Sequence, residues 1–238
     1  MSSPTRTPRV RPGRLVPNED PQTPAREPLT RDRVLAAALD LADKGGIEAL
    51  TMRNLARVLG VEAMSLYHHT PGKPAILDGI VDLVVSQIEL PARGGHWRSE
   101  LRSSVISAHR VLRQHPWACS LLMSGPRLVP ARLRHIDALL GCLRDSGLPD
   151  DDADLAYHTI DGHILGFTMW EAGYTSAIRR LPPDFATTLL RDMPVEAYPN
   201  LVEHMAFHMR DRKPDRPGEF EFTLDLILDS LERVRDPG

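Results

Sequence analysis

The chain has 238 residues, 42% of them hydrophobic, and carries a net charge of −3 at pH 7. This composition suffices for one large or two modest domains with a real core. No apolar run approaches the roughly 20 residues that span a bilayer, and the amino terminus lacks an apolar signal core. We therefore expect a cytoplasmic protein with no membrane partner. The two cysteines are far apart and form no CxxC motif, which argues against a disulfide framework or a zinc site.

The charge is distributed unevenly along the chain. Residues 1–28 carry a net charge of +2, residues 29–75 carry +1, and residues 76–238 carry −6. A nearly neutral amino-terminal part followed by an acidic remainder fits a protein that contacts DNA through a small face. It argues against coating nucleic acid without specificity.

Residues 1–28 contain seven prolines and almost no apolar periodicity, which predicts a disordered tail. Its five arginines could reach into a flanking minor groove. A solvated leader without function is the alternative, and the composition favours that interpretation.

A first helix is predicted from a cap at Thr30 to about Lys44, where the Gly45-Gly46 turn follows. One face of this helix is apolar and consists of Val34, Leu35, Ala38, Leu41 and Ala42.

Residues 51–73 predict two short helices joined by a tight turn. Thr51 can cap the first of them, Gly60 permits the sharp turn, and Leu66 points inward from the second. The first of these two short helices would bury Leu55, Ala56 and Leu59. The other face of the second helix would carry Ala63, Met64, Ser65 and His68, with Tyr67 and His69 at its end. This pattern is typical of a helix-turn-helix, which enters a DNA groove.

A fourth helix is predicted from Pro71-Gly72-Lys73-Pro74 to Pro91, linking the head to the remainder of the chain. Further helical segments are expected at residues 97–115, 116–125, 130–146, 150–180 and 219–234, with short pieces between the prolines at 182 and 199. We find no useful strand-like alternation, no repeat and no Gly-rich phosphate loop.

The ordered motifs of residues 29–84 resemble the amino-terminal domain of the TetR family of repressors. They comprise an Ala-Ala-x-x-Leu helix core, the Gly-Gly turn, Leu-Thr, Leu-Gly-Val, Ser-Leu-Tyr-x-His and Lys73. The remainder more loosely resembles the tetracycline-repressor branch, through HPW at 115–117, DLAYHTIDGHILGFTMWE at 154–171 and FEFTLDLILDSLERV at 220–234. The resemblance implies an all-α fold with a three-helix helix-turn-helix DNA-binding head (29–90) and a helical ligand-binding and dimerisation body (91–238).

The same resemblance assigns roles in DNA binding. Arg53 matches a base-contacting position and would pair with guanine O6 and N7. The base-facing positions of the recognition helix are Ala63, Met64 and Ser65. The phosphate-contacting positions are Tyr67, His69 and Lys73, and Thr51 could donate to a phosphate as well as cap. The tetracycline repressors carry Gln and Pro at the first two of the recognition positions, so their operator sequence is not transferred.

In that branch, the long helix and the last helix of each subunit form a four-helix dimer interface. Gly162 and Gly166 lie one turn apart and would let a neighbouring helix approach closely. Relief of packing within one subunit is the alternative. We expect a homodimer with Leu228 of the last helix at the interface.

The positions of the tetracycline repressors' magnesium ligands fall on Met123 and Trp170. A thioether and an indole do not bind a hard cation, so we expect neither a metal-drug chelate nor another cofactor. The body could instead form a mostly apolar effector cavity, lined by His109, Trp117, Met123, His135, His158, His163, Met169 and Trp170. Each of these alone could equally be a packed core or surface residue. His204 and His208 have metal-pair spacing, but no fixed acidic partner supports a site.

These features predict a ligand-responsive transcriptional regulator that is not an enzyme. A small apolar effector would release the repressor from a palindromic double-stranded operator. A helical enzyme or carrier that keeps the helix-turn-helix as scaffold is one alternative, but no GxSxG, HExxH, P-loop or dinucleotide motif supports it. A second alternative is an all-helical interaction module that does not bind DNA. It would require that the groove-facing side of the helix-turn-helix be covered by other parts of the protein.

Overall fold

The computed structural model describes residues 28–125, 127–180, 182, 184–210 and 218–236. Within these ranges the regular structure is helical and contains no strand, which confirms the predicted all-α fold. Apart from Pro28, the predicted tail lies outside the described residues. The helices are α1 (Arg31–Ala49), α2 (Met52–Leu59), α3 (Ala63–Leu66), α4 (Lys73–Val85), α5 (Trp97–Gln114), α6 (Pro116–Met123), α7 (Pro130–Asp145), α8 (Asp150–Arg180), α9 (Phe185–Asp192), α10 (Pro199–Arg210) and α11 (Glu219–Arg235).

Helix α1 begins at its predicted cap and is kinked at the predicted turn. The Thr30 hydroxyl accepts a hydrogen bond from the Arg33 N–H at 3.2 Å. Gly46 has φ of 73°, which interrupts the helix and suits a residue without Cβ. Helix α4 crosses α1 at Gly79, where a Cβ would lie 2.6 Å from Leu35 Cδ2. The two helices therefore approach closely because this position is glycine.

Helix α4 ends earlier than the sequence predicts, at Val85 rather than Pro91. The Glu89 N–H donates to Ser107 Oγ at 3.0 Å, and the Glu89 carbonyl accepts from Ser104 Oγ at 2.7 Å. Both serines belong to α5. Because they satisfy the backbone groups of Glu89, the chain can leave the helix here without losing those hydrogen bonds.

The body packs around α8, which contacts α5, α6, α7 and α11. Ion pairs fix α11 on α5: Arg98 pairs with Asp229 at 2.6 Å and with Glu232 at 2.8 Å, and Arg102 with Asp225 at 2.8 Å. Fully buried side chains of the body include Leu101, Val105, Leu139, Leu143, Ile160, Ile164, Leu224 and Leu228. None of the described helices is both long and apolar enough to cross a membrane.

The expectation that Leu228 lies at the dimer interface is wrong. Its side chain is 0% exposed and belongs to the core of the protomer itself. Phe220, Leu224 and Leu228 recur every four residues on α11, so they form one stripe, and all three are buried. Phe222 and Leu226, also four residues apart on α11, form a second apolar stripe that is exposed. The sequence did not reveal which of the two stripes faces inward.

Candidate nucleic-acid interface and effector-binding region

The turn between α2 and α3 sets the direction of the second helix. The Thr51 hydroxyl accepts from the Asn54 N–H at 3.1 Å and caps α2. Gly60 ends α2 in the left-handed region with φ of 67°, and the Val61 N–H donates to the Ala56 carbonyl at 3.0 Å. The predicted cap and the predicted turn are both present, because each depends on residues close in sequence.

Helix α3 divides sharply into an inner and an outer face. Leu66 is 0% exposed, whereas Met64 is 73% exposed and Tyr67 is 51% exposed. Ala63 and Ser65 are half-buried. A methionine exposed to that degree on a four-residue helix adds nothing to the core. The outer face is therefore available to a partner.

Two of the predicted DNA-contacting cations, Arg53 and Lys73, have no ion-pair partner among the described residues. Arg53 is exposed at the start of α2 and forms no ion pair with any residue that the structure describes. Lys73 is half-buried and is the first residue of α4, whose first turn contains no acidic residue. His69 is half-buried, and the Tyr67 ring packs beside Gly72, where a Cβ would lie 3.7 Å from it. Of the predicted DNA-contacting residues, Ala63, Met64 and Ser65 lie on α3 and Tyr67 ends it, whereas Thr51 and Arg53 lie at the start of α2, and His69 and Lys73 follow α3 in the chain.

One carboxylate of the head bonds two residues of the body, and we call this contact the Asp43 junction. Asp43 Oδ1 accepts from Trp117 Nε1 at 2.7 Å and lies 2.7 Å from His115 Nδ1. Asp43 belongs to α1, His115 is the C-cap of α5, and Trp117 is the second residue of α6. Trp117, which the sequence placed in an effector cavity, is buried but binds the head.

A second connection runs from α4 to the start of α7. Asp82 Oδ1 accepts from the Ala131 N–H at 2.7 Å, and Asp78 forms an ion pair with Arg127. Asp43, Asp78 and Asp82 were not singled out from the sequence, because their partners lie between 49 and 74 positions away.

Two of the eight candidate effector residues meet around one phenylalanine. Phe220 stacks on His109 with ring centroids 3.9 Å apart and on His163 at 4.8 Å. His109 Nε2 lies 2.9 Å from Glu171 Oε2, and Glu171 also pairs with Arg113 at 3.2 Å. Burial lowers the pKa of His163. This cluster joins α5, α8 and α11, and Glu171 was not singled out from the sequence.

His135 lies apart from that cluster, on α7, and is 1% exposed. Four other candidates are on the surface. Met123 is 58%, Met169 38% and Trp170 51% exposed, and the side chain of His158 is 67% exposed beside Asp154. The structure therefore does not bring the eight candidates into one shared cavity.

No group of three or more potential metal ligands occurs among the described residues. His204 is exposed, and the side chain of His208 lies outside what the structure describes.

The described part of the protomer leaves positions on α8 and on α11 uncovered, which together we call the α8–α11 face. Gly162 and Gly166 are exposed, and a Cβ built at either would have nothing within 4 Å. Packing within the described part of one protomer therefore does not explain these glycines. On α11, Phe222 is 65%, Leu226 53% and Val234 49% exposed. Such an apolar stripe is typical of an interaction surface.

Both parts of the chain match known family models. Residues 34–80 match the model described as "Bacterial regulatory proteins, tetR family". Residues 90–235 match "Tetracyclin repressor-like, C-terminal domain".

Similar proteins are repressors and regulators. The chain is 36% identical over 162 residues to HTH-type transcriptional repressor DrrR1 of Streptomyces coeruleorubidus, a match that spans 66% of this chain and 60% of that protein. It is 29% identical to tetracycline repressor protein class D of Escherichia coli, over 65% of this chain and 72% of that protein. ActR of Streptomyces coelicolor, in its complex with actinorhodin, has a TM-score of 0.70 and 25% identity, covering 87% of this chain and 97% of that chain.

Proposed function

Because the chain belongs to the TetR family of transcriptional regulators, we propose that it is a homodimeric cytoplasmic repressor that a small, largely apolar effector releases from a palindromic operator. The resemblance seen in the sequence is thereby confirmed. The observation that carries the proposal is the division of α3 into a buried Leu66 and an outer face that exposes Met64 and Tyr67. The binding of actinorhodin by ActR supports a small organic effector.

In this proposal the side chains around α3 divide into base readers and phosphate binders. Arg53 contacts guanine, and Met64 with Ala63 and Ser65 contacts base edges and thymine methyl groups. Tyr67, His69 and Lys73 bind phosphates, which position the head without reading sequence. Two observations support these assignments. Arg53, Met64 and Tyr67 are exposed, and neither Arg53 nor Lys73 forms an ion pair with a described residue.

Release from DNA follows from the spacing of the two heads. Two copies of α3 enter successive major grooves, about 34 to 36 Å apart along the duplex. An effector lowers operator affinity if it binds more tightly to a conformation in which the two heads are wrongly spaced. The loss of operator affinity is limited by the ratio of the effector's affinities for the two conformations. The contacts of α4 with α7 and the Asp43 junction are the routes by which the body can move the head.

The proposal includes no enzymatic activity. A ligand that binds the protein should be recovered unchanged after prolonged incubation, as mass spectrometry of the mixture can establish. Turnover would favour the alternative of an enzyme that retains the helix-turn-helix as scaffold.

Replacing the two proposed DNA-binding cations should have different effects. An operator is first selected from random duplexes with the purified protein, and a palindrome is expected. Arg53→Ala should cost about 1 to 3 kcal/mol of binding free energy and relax the preference at one base pair. Lys73→Ala should weaken binding to all sequences alike and reduce the salt dependence. Fluorescence anisotropy over a salt series measures both.

Arg134→Ala, which removes an exposed cation of α7, is the matched control and should bind the operator as the unaltered protein does. If neither Arg53→Ala nor Lys73→Ala differs from this control, the assignment of the outer face of α3 to the groove is wrong.

A further inference from the structure

His135 on α7 is buried and has no hydrogen-bond partner among the residues that the structure describes. It is 1% exposed, and neither Nδ1 nor Nε2 bonds to a residue in the described part of the chain. Buried polar side chains in native proteins nearly always find a partner, so an unpartnered one requires an explanation. A bound molecule that supplies the missing hydrogen bonds is one such explanation.

A third buried polar atom without a partner among the described residues belongs to Asp161 of α8. Asp161 of α8 accepts through Oδ2 from Arg132 Nη2 of α7 at 2.6 Å, and these side chains are 17% and 11% exposed. Asp161 Oδ1 is buried and has no partner in the structure. Arg132 and Asp161 both act electrostatically on His135. The α7–α8 contact therefore contains three unpaired polar atoms in one neighbourhood, which we call the His135 cluster.

The charges of the His135 cluster indicate what it can bind. Burial lowers the pKa of His135 to about 4, so the ring is neutral near pH 7 and offers one N–H donor and one bare nitrogen acceptor. Arg132 and Asp161 neutralise each other. A charged ligand would find no free counter-charge, and burying it would cost more than burying a neutral polar molecule.

We propose that the His135 cluster is the polar anchor of the effector site and takes an uncharged molecule with an apolar frame and at least two oxygen functions, one of them a hydroxyl. The hydroxyl donates to Asp161 Oδ1, and the second oxygen accepts from the His135 N–H. This inference rests on the proposed function, because it names the class of effector that the repressor recognises. It also replaces the larger set of eight candidates by one defined contact between two helices.

The test uses the full chain and two probes of similar size, resorcinol and toluene. Resorcinol carries two hydroxyls on an apolar ring, and toluene carries none. In the unaltered protein, resorcinol should shift the His135 ring nitrogen signals in a nitrogen-15 NMR spectrum, and toluene should not. His135→Leu should lower resorcinol affinity by about tenfold or more, as expected when a hydrogen-bonded polar contact is removed. His96→Leu, which replaces an exposed histidine, is the control and should bind resorcinol normally.

A second measurement needs no ligand. Leucine at position 135 removes two unpaired nitrogens, so the melting temperature of the effector-free protein should rise by about 2 to 4 °C. A fall would show that the ring has a structural partner and would overturn the proposal. Failure of resorcinol to bind the unaltered protein, or equal binding by His135→Leu, would also overturn it.

Operator binding separates this inference from the proposed function. His135→Leu should bind the selected operator as tightly as the unaltered protein does. If the unaltered protein itself selects no operator, the proposed function fails, whatever the resorcinol titration gives.

Discussion

A Leu226→Glu protein should be a folded monomer that binds the operator on the order of 100-fold more weakly or worse, because two linked heads bind far more tightly than one. Leu226 is 53% exposed in the protomer, so a carboxylate there costs little before assembly. At a helix interface the same carboxylate is buried without a partner, which costs several kcal/mol. Light scattering gives the mass in solution, and a gel-shift titration gives the affinity.

Two matched leucines make this result interpretable. Leu133→Glu changes an equally exposed leucine of α7, at 47%, and should leave a dimer. Leu228→Glu places the charge in the core of the protomer, where the side chain is 0% exposed, and should unfold the chain. A Leu226→Glu protein that remains dimeric would show that the dimer interface lies outside the α8–α11 face.

Asp43→Ala should lower the free energy of unfolding by about 2 to 3 kcal/mol, because it removes the only described acceptor of Trp117 Nε1 and the partner of His115 Nδ1. Trp117 and His115 are 8% and 9% exposed, so water reaches them poorly. Urea denaturation followed by circular dichroism measures the change. Asp40→Ala removes an exposed α1 carboxylate that pairs with Lys44 and should change stability by less than about 1 kcal/mol.

A double-mutant cycle identifies the bond responsible. Trp117→Phe removes the indole donor and keeps an aromatic ring, and its effect in an Asp43→Ala background should be smaller than in the unaltered protein. The difference should be about 0.5 to 3 kcal/mol, the range for residues in direct contact. Additive effects would show that the hydrogen bond between Asp43 and Trp117 does not contribute to stability.

The extent to which the sequence predicted this molecule depends on the distance along the chain between interacting residues. The cap at Thr51 and the turn at Gly60 were predicted, since each is formed by residues within a few positions. The early end of α4 was not predicted, because the serines that bond Glu89 lie 15 and 18 residues onward. Trp117 was taken for a cavity residue because its partner Asp43 lies 74 positions away.

The same dependence on sequence distance applies to the candidate DNA-binding and effector sites. The outer face of α3 could be expected, because helical periodicity separates Leu66 from Met64. The His135 cluster could not, since nothing in the spacing of α7 and α8 tells which histidine will be enclosed without a partner. Similarly, two apolar stripes of α11 have the same helical period, and only packing against α5 and α8 selects the inner one.

Because α4 ends early, a small displacement near its carboxyl end can produce a larger one at its amino end. The segment after α4 is tied to α5 at Glu89, so we expect α4 to tilt about its carboxyl end. Measured along the helix from Val85, where α4 ends, Asp82 lies about 4.5 Å away and Lys73 about 18 Å away. A displacement of α7 that pulls on Asp82 should therefore be about fourfold larger at Lys73. A shift of about 1 Å in the body would move the amino end of α4, which adjoins the recognition helix, by about 4 Å.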